Sequence, residues 1–590
     1  MKSFFKTVLA SALGALIAMS ITSVLSILIT IGIIAAMTSS ASKQITVVEP
    51  NTILSLKLDR PVVDRASNNP MDRLEHFDFS GKGAAVGLNQ LLRGIKAAST
   101  DTNIKGIYLD VSNLQAGIAA IEEIRNALLA FKESGKFIIS YADGYGQGAY
   151  YLASVADKVY LNPIGNVDWH GLGAHLLFYK GALQKLGVDV EIFRHGKFKG
   201  AVEPFMYDKM SDENRAQILT YAGSIWNHWL TGVEQQRKIS VQAQRNIVGG
   251  LLLQNAQSCV KYNFVDELKY KDLIIGELAQ LTQQPADKPK LLGIADYANS
   301  VKSNNAKSKT KLAVLYAEGD IMMDGNNGII GNDFASEIRK IRKDSSVKAV
   351  VFRINSPGGS ALASDIIWRE IDLLKQTKPV VVSMGNYAAS GGYYIACPAT
   401  KIVANPTTIT GSIGVFSVLF NVDKAMKNKL GITSDVALTE PNADLGNIFR
   451  PLKPIEKIYL QNSVEDIYTT FVTHVANGRA MNFASVDAIA QGRVWSGIDA
   501  KRIKLVDEIG GLQTAIDLAA DLASLIDYNV QEYPKEKGSI DFVIELFGTA
   551  KARLFASPME QLRNNALVKS LQQQHGTVQA RVPYEAEFNL

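Results

Sequence analysis

Short apolar runs rich in β-branched residues alternate along the chain with stretches of helical period. Two sets of this kind occur, and each consists of an apolar run, a helical stretch and a second apolar run. They lie at residues 104–111, 121–134 and 137–140 in the first half and at residues 347–354, 363–376 and 380–383 in the second. Runs of this length and composition predict buried strands. Because strands and helices alternate, the pattern predicts an α/β fold with βαβ units.

The two sets are copies of one unit. A constant offset of 243 residues aligns them and continues to the Asn-Pro pairs that end at Pro163 and Pro406. Between the copies the sequence becomes polar and loses its periodicity, as linkers do. The predicted divisions of the body are a first domain at residues 46–298, a linker at 299–311, a second domain at 312–535 and a tail at 536–590. The tail has helical spacing near residues 542–555 and is expected to pack on the body or on a second subunit.

The N-terminal segment has the composition of a membrane anchor. Lys2 and Lys6 precede an uncharged stretch at residues 7–42, whose apolar part at 8–37 exceeds the about 20 residues that cross a bilayer. A cleavable signal peptide has a shorter apolar part. We therefore predict one uncleaved transmembrane helix within residues 1–45. By the positive-inside rule, the lysines lie in the cytoplasm and the body lies on the outer side of the inner membrane.

Composition narrows the classes of partner and cofactor. The chain of 590 residues is 47% apolar and 20% charged, as folded proteins are, and its net charge of +5 is spread without a basic block. This distribution argues against nucleic acid as a partner. Cys259 and Cys397 are too far apart for a zinc or disulfide motif, and the seven histidines lack metal-binding spacing. We expect both cysteines to be buried and no metal or cofactor to be required.

One hydroxyl distinguishes the second copy from the first. Residues 386–394 read Asn-Tyr-Ala-Ala-Ser-Gly-Gly-Tyr-Tyr, whereas residues 143–151 read Asp-Gly-Tyr-Gly-Gln-Gly-Ala-Tyr-Tyr, so Gln147 takes the place of Ser390. The serine follows a predicted strand and precedes a predicted helix, where Gly391 and free N–H groups permit close approach of a ligand. This arrangement resembles a nucleophile elbow without its GxSxG spacing. A serine here is also a common helix cap, but the loss of the hydroxyl in one copy favours a nucleophile.

A glycine turn accompanies the serine in the second copy only. Residues 355–360 read Asn-Ser-Pro-Gly-Gly-Ser, and the equivalent residues 112–117 lack the Gly-Gly pair. Such turns direct backbone N–H groups outwards. The N–H groups of Gly359 and Gly391 are therefore candidates for an oxyanion hole. A peptide is expected to bind as an added strand near residues 356–360.

The nucleophile requires a base, and the residues leave its identity open. His474 is the one histidine of the second half before the tail, but it lies in a helical stretch and nothing places it near the serine. Lysine acts as a base when burial keeps it neutral. Residues 195–205 contain Lys197 and Lys199, and spacing does not separate them because alternate residues share a strand face. Since the equivalent residues 437–445 contain no lysine, the first half is expected to supply the base.

Four segments together resemble the signal peptide peptidase A, or protease IV, family. They are residues 387–396 around the serine, the turn at 356–359, residues 410–415 and residues 199–205. The length, the repeat and the predicted anchor resemble the long, double-domain bacterial form. The resemblance implies tandem ClpP/crotonase-like domains built from repeated β-β-α units. It also implies a homotetrameric serine endopeptidase of the inner membrane, with its body on the periplasmic side, that degrades cleaved signal peptides.

The same resemblance implies roles for individual residues. The implied set is Ser390 as nucleophile, Lys199 rather than Lys197 as general base, Gly359 and Gly391 as the oxyanion hole, and Ser412 as the residue that orients the lysine. The counterpart of the orienting serine in the first half is Trp169.

Two other classes of protein stay open at this point. One is a crotonase-type enzyme acting on acyl-CoA thioesters, which is expected to use catalytic carboxylates. The other is a non-catalytic membrane scaffold in which the serine is only a helix cap.

Overall fold

The architecture comes from a computed structural model of the chain. It describes residues 48–66, 85–112, 114–286, 288–301, 308–325, 328–535 and 577–581, with scattered helical positions between residues 4 and 25. The rest of the predicted anchor and the helix predicted near residues 542–555 lie outside the described residues. Within the part of the chain that is described, no helix combines the length and the apolar character needed to cross a membrane.

A parallel sheet forms the centre of the first half. The strands of this half are β1 (Thr52–Lys57), β2 (Val62–Val63), β3 (Val86–Gly87), β4 (Ile104–Asp110), β5 (Phe137–Ala142), β6 (Lys158–Leu161), β7 (Asp189–Arg194), β8 (Glu267–Leu268) and β9 (Leu291–Gly293). The order β8-β6-β5-β4-β1-β9 forms one sheet whose neighbouring strands are all parallel. Because helices cover such a sheet on both faces, its central strands are mostly apolar, and Ile107 and Leu109 are fully buried.

The second half repeats this sheet. Its strands are β10 (Lys311–Glu318), β11 (Ile321–Met322), β12 (Ile329–Ile330), β13 (Val347–Ser356), β14 (Gly358–Ser360), β15 (Val380–Ala389), β16 (Lys401–Ala404), β17 (Ile409–Gly411), β18 (Phe416–Asn421), β19 (Val494–Ser496), β20 (Glu508–Ile509) and β21 (Asn529–Tyr533), and β22 (Gln579–Arg581) follows in the tail. The order β20-β16-β15-β13-β10-β21 matches that of the first half strand for strand. The last residues of β15 also pair with β17. The predicted tandem repeat of α/β units is therefore confirmed.

Helices follow most of the strands, and several of them pack on the sheets. They are α1 (Leu88–Thr100), α2 (Ile118–Lys132), α3 (Gln147–Ala153), α4 (Lys180–Leu186), α5 (Glu203–Met206), α6 (Asp212–Arg237), α7 (Val241–Gly249), α8 (Ala256–Lys261), α9 (Lys271–Leu281), α10 (Ile294–Ser300), α11 (Gly331–Lys343), α12 (Ala361–Lys375), α13 (Gly391–Ala396), α14 (Asp423–Ala425), α15 (Pro454–Arg479), α16 (Phe483–Ile489), α17 (Gly497–Arg502) and α18 (Leu512–Leu522). A 3₁₀ turn at Gly200–Val202 and a π-helical turn at Met426–Leu430 complete the set. The helices predicted after the first strand of each copy are α2 and α12. Ser211 begins α6 by accepting the N–H of Asn214, as a polar N-cap does.

A third sheet joins the two halves. Its order is β12-β11-β14-β22-β18-β7. Strand β7 belongs to the first half and pairs antiparallel with β18 of the second along its whole length. This pairing brings the segment that follows β7, which contains Lys199, into the second half.

Buried charges also hold the halves together. Arg353 on β13 is 1% exposed, and its guanidinium lies 2.7 Å from Asp64 and 2.8 Å from Glu123, both in the first half. The Glu123 carboxylate also accepts from Asn405 Nδ2 at 2.9 Å and from the Leu512 N–H at 2.7 Å. Burial acts to lower the pKa of Arg353, but the two carboxylates outweigh it and raise the pKa above its ordinary value. The cluster therefore fixes the position of one half against the other.

Candidate active site

Ser390 lies in a strained turn between β15 and α13. Its φ of +56° is in the left-handed region, and its N–H donates to the Gly411 carbonyl at 2.8 Å. The residue is fully buried, and its side chain makes no capping hydrogen bond to α13. A non-glycine residue held at positive φ stores strain of the kind that clusters at functional sites. The hydroxyl therefore does not serve as the helix cap that one alternative required.

Lys199 lies beside this hydroxyl. Its Nζ is 2.7 Å from Ser390 Oγ, and both residues are fully buried. Lys197, the other candidate, is exposed. Strand β7 ends at Arg194 and the 3₁₀ turn begins at Gly200, so the residues between them do not follow the alternation of a strand. The structure brings Lys199 to the serine and leaves Lys197 at the surface.

Burial shifts the pKa of the lysine amine. It lowers the pKa of Lys199 well below the ordinary value of 10.5, because the charged ammonium loses its hydration. Besides the serine, the amine contacts Ser412 Oγ at 3.0 Å and the Ser412 carbonyl oxygen at 3.2 Å. Both atoms are hydrogen-bond acceptors, which favour the charged form, but burial outweighs them and lowers the pKa. The arrangement suits a neutral amine that accepts a proton from a neighbouring hydroxyl.

A loop of the second half packs against both Ser412 and Lys199. Ser412 has a φ of +51°, and its N–H donates to the Arg493 carbonyl at 2.7 Å. A side chain on Gly492 would come within 2.7 Å of the Lys199 backbone. Glycine is therefore needed at residue 492 for the two segments to approach this closely.

Gln217 on α6 links the two halves next to the lysine. Its Nε2 donates to the Phe198 carbonyl at 2.9 Å and to Asn214 Oδ1 at 2.8 Å. Its Oε1 accepts the Val494 N–H of the second half at 3.1 Å. The sequence did not single out this residue, because it is one of many polar positions on a long helix and its partners are distant in sequence.

The glycine turn forms the short strand β14. Gly358 has a φ of +106° and Gly359 a φ of +153°, which favour glycine. A side chain on Gly359 would collide with the Ile321 carbonyl, and one on Gly358 would come within 2.7 Å of the Gly391 nitrogen. The glycines therefore allow the turn to lie against the residue that follows the serine. Strand β14 pairs antiparallel with β22, which places Ala580 opposite Gly359; the sequence did not predict this tail strand.

His474, the histidine considered as a base, has its partners on α12. His474 Nε2 is 3.3 Å from Asp365 Oδ1, and its ring stacks on that of Trp368 at 3.5 Å. Cys259 and Cys397 are free and buried, which confirms the prediction for both.

Comparison with known proteins identifies the family. The profile of peptidase family S49 matches twice, at residues 130–284 and 372–526. The chain is 38% identical over 518 residues to Protease 4 of Salmonella typhi, covering 85% of this chain and 83% of that protein. Protease 4 of Haemophilus influenzae is 37% identical over 525 residues, covering 84% and 83%. The chloroplastic serine protease SPPA of Arabidopsis thaliana is 34% identical, covering 75% of this chain and 66% of that protein.

Similarity to a solved structure is much weaker. ClpP1 of Listeria monocytogenes aligns with 34% of this chain and 94% of its own length, at 16% identity and a TM-score of 0.24, which is too low to identify the fold. The two family matches, in contrast, lie one in each half of the chain, in equivalent parts of the repeat. Since both copies match and most of the chain aligns with the two Protease 4 relatives, the chain belongs to peptidase family S49 and is a serine protease.

Proposed function

We propose that the chain is a membrane-anchored serine endopeptidase in which Ser390 is the nucleophile and Lys199 its general base. The observation that carries this proposal is the 2.7 Å contact between Lys199 Nζ and Ser390 Oγ, with both residues fully buried. The lowered pKa of the lysine supports it, because a neutral amine accepts the serine proton. In this proposal the domain at residues 46–298 supplies the base and the domain at residues 312–535 supplies the nucleophile.

Catalysis begins when Lys199 Nζ accepts the proton of Ser390 and the serine oxygen attacks the carbonyl carbon of the peptide. The N–H groups of Gly359 and Gly391 donate to the oxyanion, and one such donor is worth about 3–4 kcal/mol of barrier. The protonated lysine then gives its proton to the leaving amine. Water loses a proton to the lysine and hydrolyses the acyl-enzyme, which restores both side chains.

Ser412 orients the lysine in this mechanism. A lysine ammonium has three N–H donors and no acceptor. The hydroxyl and the carbonyl of Ser412 lie 3.0 and 3.2 Å from Nζ and accept two of them. The third donor then points towards Ser390 and the leaving group, so the proton is delivered in one direction.

The proposed substrates are apolar peptides, in particular the cleaved signal peptides that remain at the inner membrane. The resemblance of the four motif segments to the signal peptide peptidase A family supports this substrate class. The apolar stretch at residues 8–37 supports a single membrane anchor, with the body on the periplasmic side. The resemblance to the long, double-domain form supports a homotetramer.

Membership of a serine protease family leaves the two other classes without support. An acyl-CoA enzyme and a non-catalytic scaffold were both open from the sequence alone. The scaffold also required the serine to be a helix cap, and the Ser390 side chain makes no capping hydrogen bond.

Hydrolysis of a fluorogenic apolar peptide tests the proposal. The full chain is compared with Ser390→Ala and Lys199→Ala, each shown to be folded by circular dichroism. Loss of hydrolysis in both variants is expected. Hydrolysis retained by Lys199→Ala alone would assign the base to another residue, and hydrolysis retained by both would place the activity at another site.

A further inference from the structure

A buried row of polar side chains leads from α6 to the segment that carries Lys199. The row consists of Glu203, Asn214 and Gln217, each at most 1% exposed. Asn214 Nδ2 donates to Glu203 Oε2 at 2.8 Å, and Gln217 Nε2 donates to Asn214 Oδ1 at 2.8 Å. The Ser211 N–H also donates to Glu203 Oε2, at 3.2 Å. Buried polar groups that satisfy one another in this way rigidify the segments that carry them.

The two ends of the row fix the direction of its hydrogen bonds. Gln217 Nε2 donates to the Phe198 carbonyl at 2.9 Å, and Gln217 Oε1 accepts the Val494 N–H at 3.1 Å. A backbone carbonyl only accepts and a backbone N–H only donates, so the amide of Gln217 cannot turn over. At the other end, the Glu203 carboxylate accepts, so the Asn214 amide faces it with its nitrogen. Both ends demand the same orientation, and the row therefore has one arrangement.

This arrangement joins the two segments that meet at the lysine amine. Phe198 directly precedes Lys199. Val494 directly follows Arg493, whose carbonyl accepts the Ser412 N–H at 2.7 Å. The hydroxyl and the carbonyl of Ser412 lie 3.0 and 3.2 Å from Lys199 Nζ. One side-chain amide thus links the backbone beside the lysine to the backbone that holds the serine in contact with it.

Close packing leaves the same segments little room to shift. A side chain on Gly200 would come within 2.7 Å of Asn214 Oδ1, so glycine lets α6 lie directly against the lysine segment. On the other side, the guanidinium of Arg493 lies 5.0 Å from the ring centroid of Phe198 and 4.3 Å from that of Trp495. The lysine segment is therefore packed between α6 and the residues around β19.

We propose that Gln217 is a positioning residue that holds Lys199 against Ser412. Its direction is set by Asn214 and Glu203. A lysine amine is carried on a flexible four-carbon stem, so a defined contact with the serine requires that the backbone on both sides be fixed. The inference rests on the proposed function in one respect, namely that the positioned lysine acts as the base.

Gln217→Met tests this role against a matched control. Methionine has a similar length and makes neither hydrogen bond, so we expect kcat for a fluorogenic apolar peptide to fall about tenfold with KM changed by less than about twofold. Gln244→Met is the control, because Gln244 on α7 is also fully buried and its Nε2 donates to the Leu230 and Ile239 carbonyls, both at 2.8 Å. Both variants should have a lower Tm, but the control should keep its kcat. Equal losses of kcat in the two variants would overturn the proposal.

Chemical labelling measures the position of the amine without any hydrolysis. The full chain is treated with acetic anhydride at mildly alkaline pH, and the acetylation of Lys199 is compared by mass spectrometry with that of Lys197, which is exposed in the same segment. We expect the ratio of Lys199 to Lys197 labelling to rise at least about fivefold in Gln217→Met, because local opening exposes the amine, and to stay unchanged in Gln244→Met.

The labelling result also separates this inference from the proposed function. An unchanged ratio in Gln217→Met would overturn the inference, whatever happens to hydrolysis. A raised ratio with full hydrolysis would support the positioning role and contradict Lys199 as the base. If the methionine variant does not fold, Gln217→Asn is used instead, since its amide is one methylene too short to reach both backbone partners. The same rise in the ratio is expected for it, and an unchanged ratio would again overturn the inference.

Discussion

The side-chain amide of Gln147 donates to the Gly171 carbonyl at 3.0 Å, and its oxygen accepts the Gly171 N–H at 2.8 Å. The repeat offset of 243 residues relates these two residues to Ser390 and Gly414. In the second copy the serine hydroxyl lies 3.4 Å from the Gly414 carbonyl. Gln147 therefore hydrogen-bonds to the backbone of Gly171, the residue equivalent to the one whose carbonyl lies near the serine hydroxyl in the second copy. In the first copy this contact is structural.

Trp169 completes this change in the first copy. It takes the place of Ser412 and is 4% exposed. Its ring lies 4.6 Å from that of Trp226 and 5.4 Å from that of Tyr150. An indole packed in an aromatic core cannot accept the hydrogen bonds of a lysine amine. At this position the first copy contains packed aromatic side chains. Its Lys199 instead contacts Ser390 of the second copy.

A serine at residue 147 is not expected to create a second site. Gln147→Ser in the Ser390→Ala background should stay inactive in peptide hydrolysis, because Trp169 stands where the proposed mechanism needs a hydroxyl that orients a lysine. The same substitution removes the acceptor of the His170 and Gly171 N–H groups. We therefore expect the free energy of unfolding in urea to fall by about 1–3 kcal/mol. Recovered hydrolysis would contradict the assigned base, and unchanged stability would contradict the structural role of the amide.

Lys199→Met separates the amine from the packing of its side chain. Methionine has a similar length and no basic group, so we expect the fold to be kept and kcat to fall about 10³-fold. Lys197→Met is the matched control, because Lys197 is exposed two residues away and should leave kcat within about twofold of the original. Equal losses in the two variants would show that the effect is not specific to the buried amine.

The lowered pKa of Lys199 predicts how activity depends on pH. In the proposed mechanism the base acts in its neutral form, so kcat/KM should rise with pH through the lowered pKa and reach a plateau above it. A profile measured from acidic to mildly alkaline pH with the full chain checks this. Activity that falls over the same range would mean that the protonated lysine is the required form.

The lowered pKa of Lys199 also predicts how the free energy of unfolding depends on pH. The unfolded chain has the ordinary lysine pKa of 10.5 and binds more protons than the folded chain at pH values between the lowered pKa and 10.5. The free energy of unfolding should therefore rise with pH in this window. Lys199→Met lacks this dependence, so it should be more stable than the original chain at neutral pH, with a difference that shrinks towards pH 10.5. Thermal unfolding across this pH range checks the sign, and a constant difference would contradict desolvation of the amine.

Most of the repeat and the turn that holds Ser390 were predictable from the sequence because they depend on local pattern. The buried strands, the turn at Ser390 and the loss of its hydroxyl in the first copy are all visible as runs and substitutions. Spacing alone did not separate Lys197 from Lys199, because the chain leaves strand geometry after Arg194 and alternation no longer applies. The family resemblance of residues 199–205 is what favoured Lys199.

The pairing of the tail strand could not be predicted from the sequence either. Residues 577–581 alternate polar and apolar residues, but the run is five residues long and contains one apolar β-branched residue, Val578, so its strand signal is weak. Strand β22 gains its hydrogen bonds from β14, more than two hundred residues earlier in the chain. Contacts between segments so far apart leave no local signal. The same reason explains why Gln217, with partners in both halves, was missed.

Ser412→Ala tests the proposed orientation of the lysine. Removing one hydrogen-bond partner of the amine should lower kcat about tenfold with little change in KM, since the substrate does not contact this hydroxyl in the proposal. Ser412→Gly is the matched control, because the φ of +51° at this residue favours glycine. If both variants lose activity equally, the hydroxyl is responsible. Full activity in Ser412→Gly would show that the alanine variant suffers from backbone strain instead.

Arg353→Met tests whether buried charges hold the halves together. The substitution leaves Asp64 and Glu123 buried without their cation, so we expect the free energy of unfolding to fall by about 3–5 kcal/mol. Arg339→Met is the control, because Arg339 is half exposed and its partner Glu370 also contacts Arg342.

The control should change stability by less than about 1 kcal/mol. Adding Asp64→Asn and Glu123→Gln to Arg353→Met removes the stranded charges and should recover part of the loss, which a comparison of single and combined variants measures. Because Lys199 and Ser390 come from different halves, a weakened junction should also lower kcat. A loss of stability without any loss of kcat would show that the pairing of β7 with β18 positions the lysine by itself.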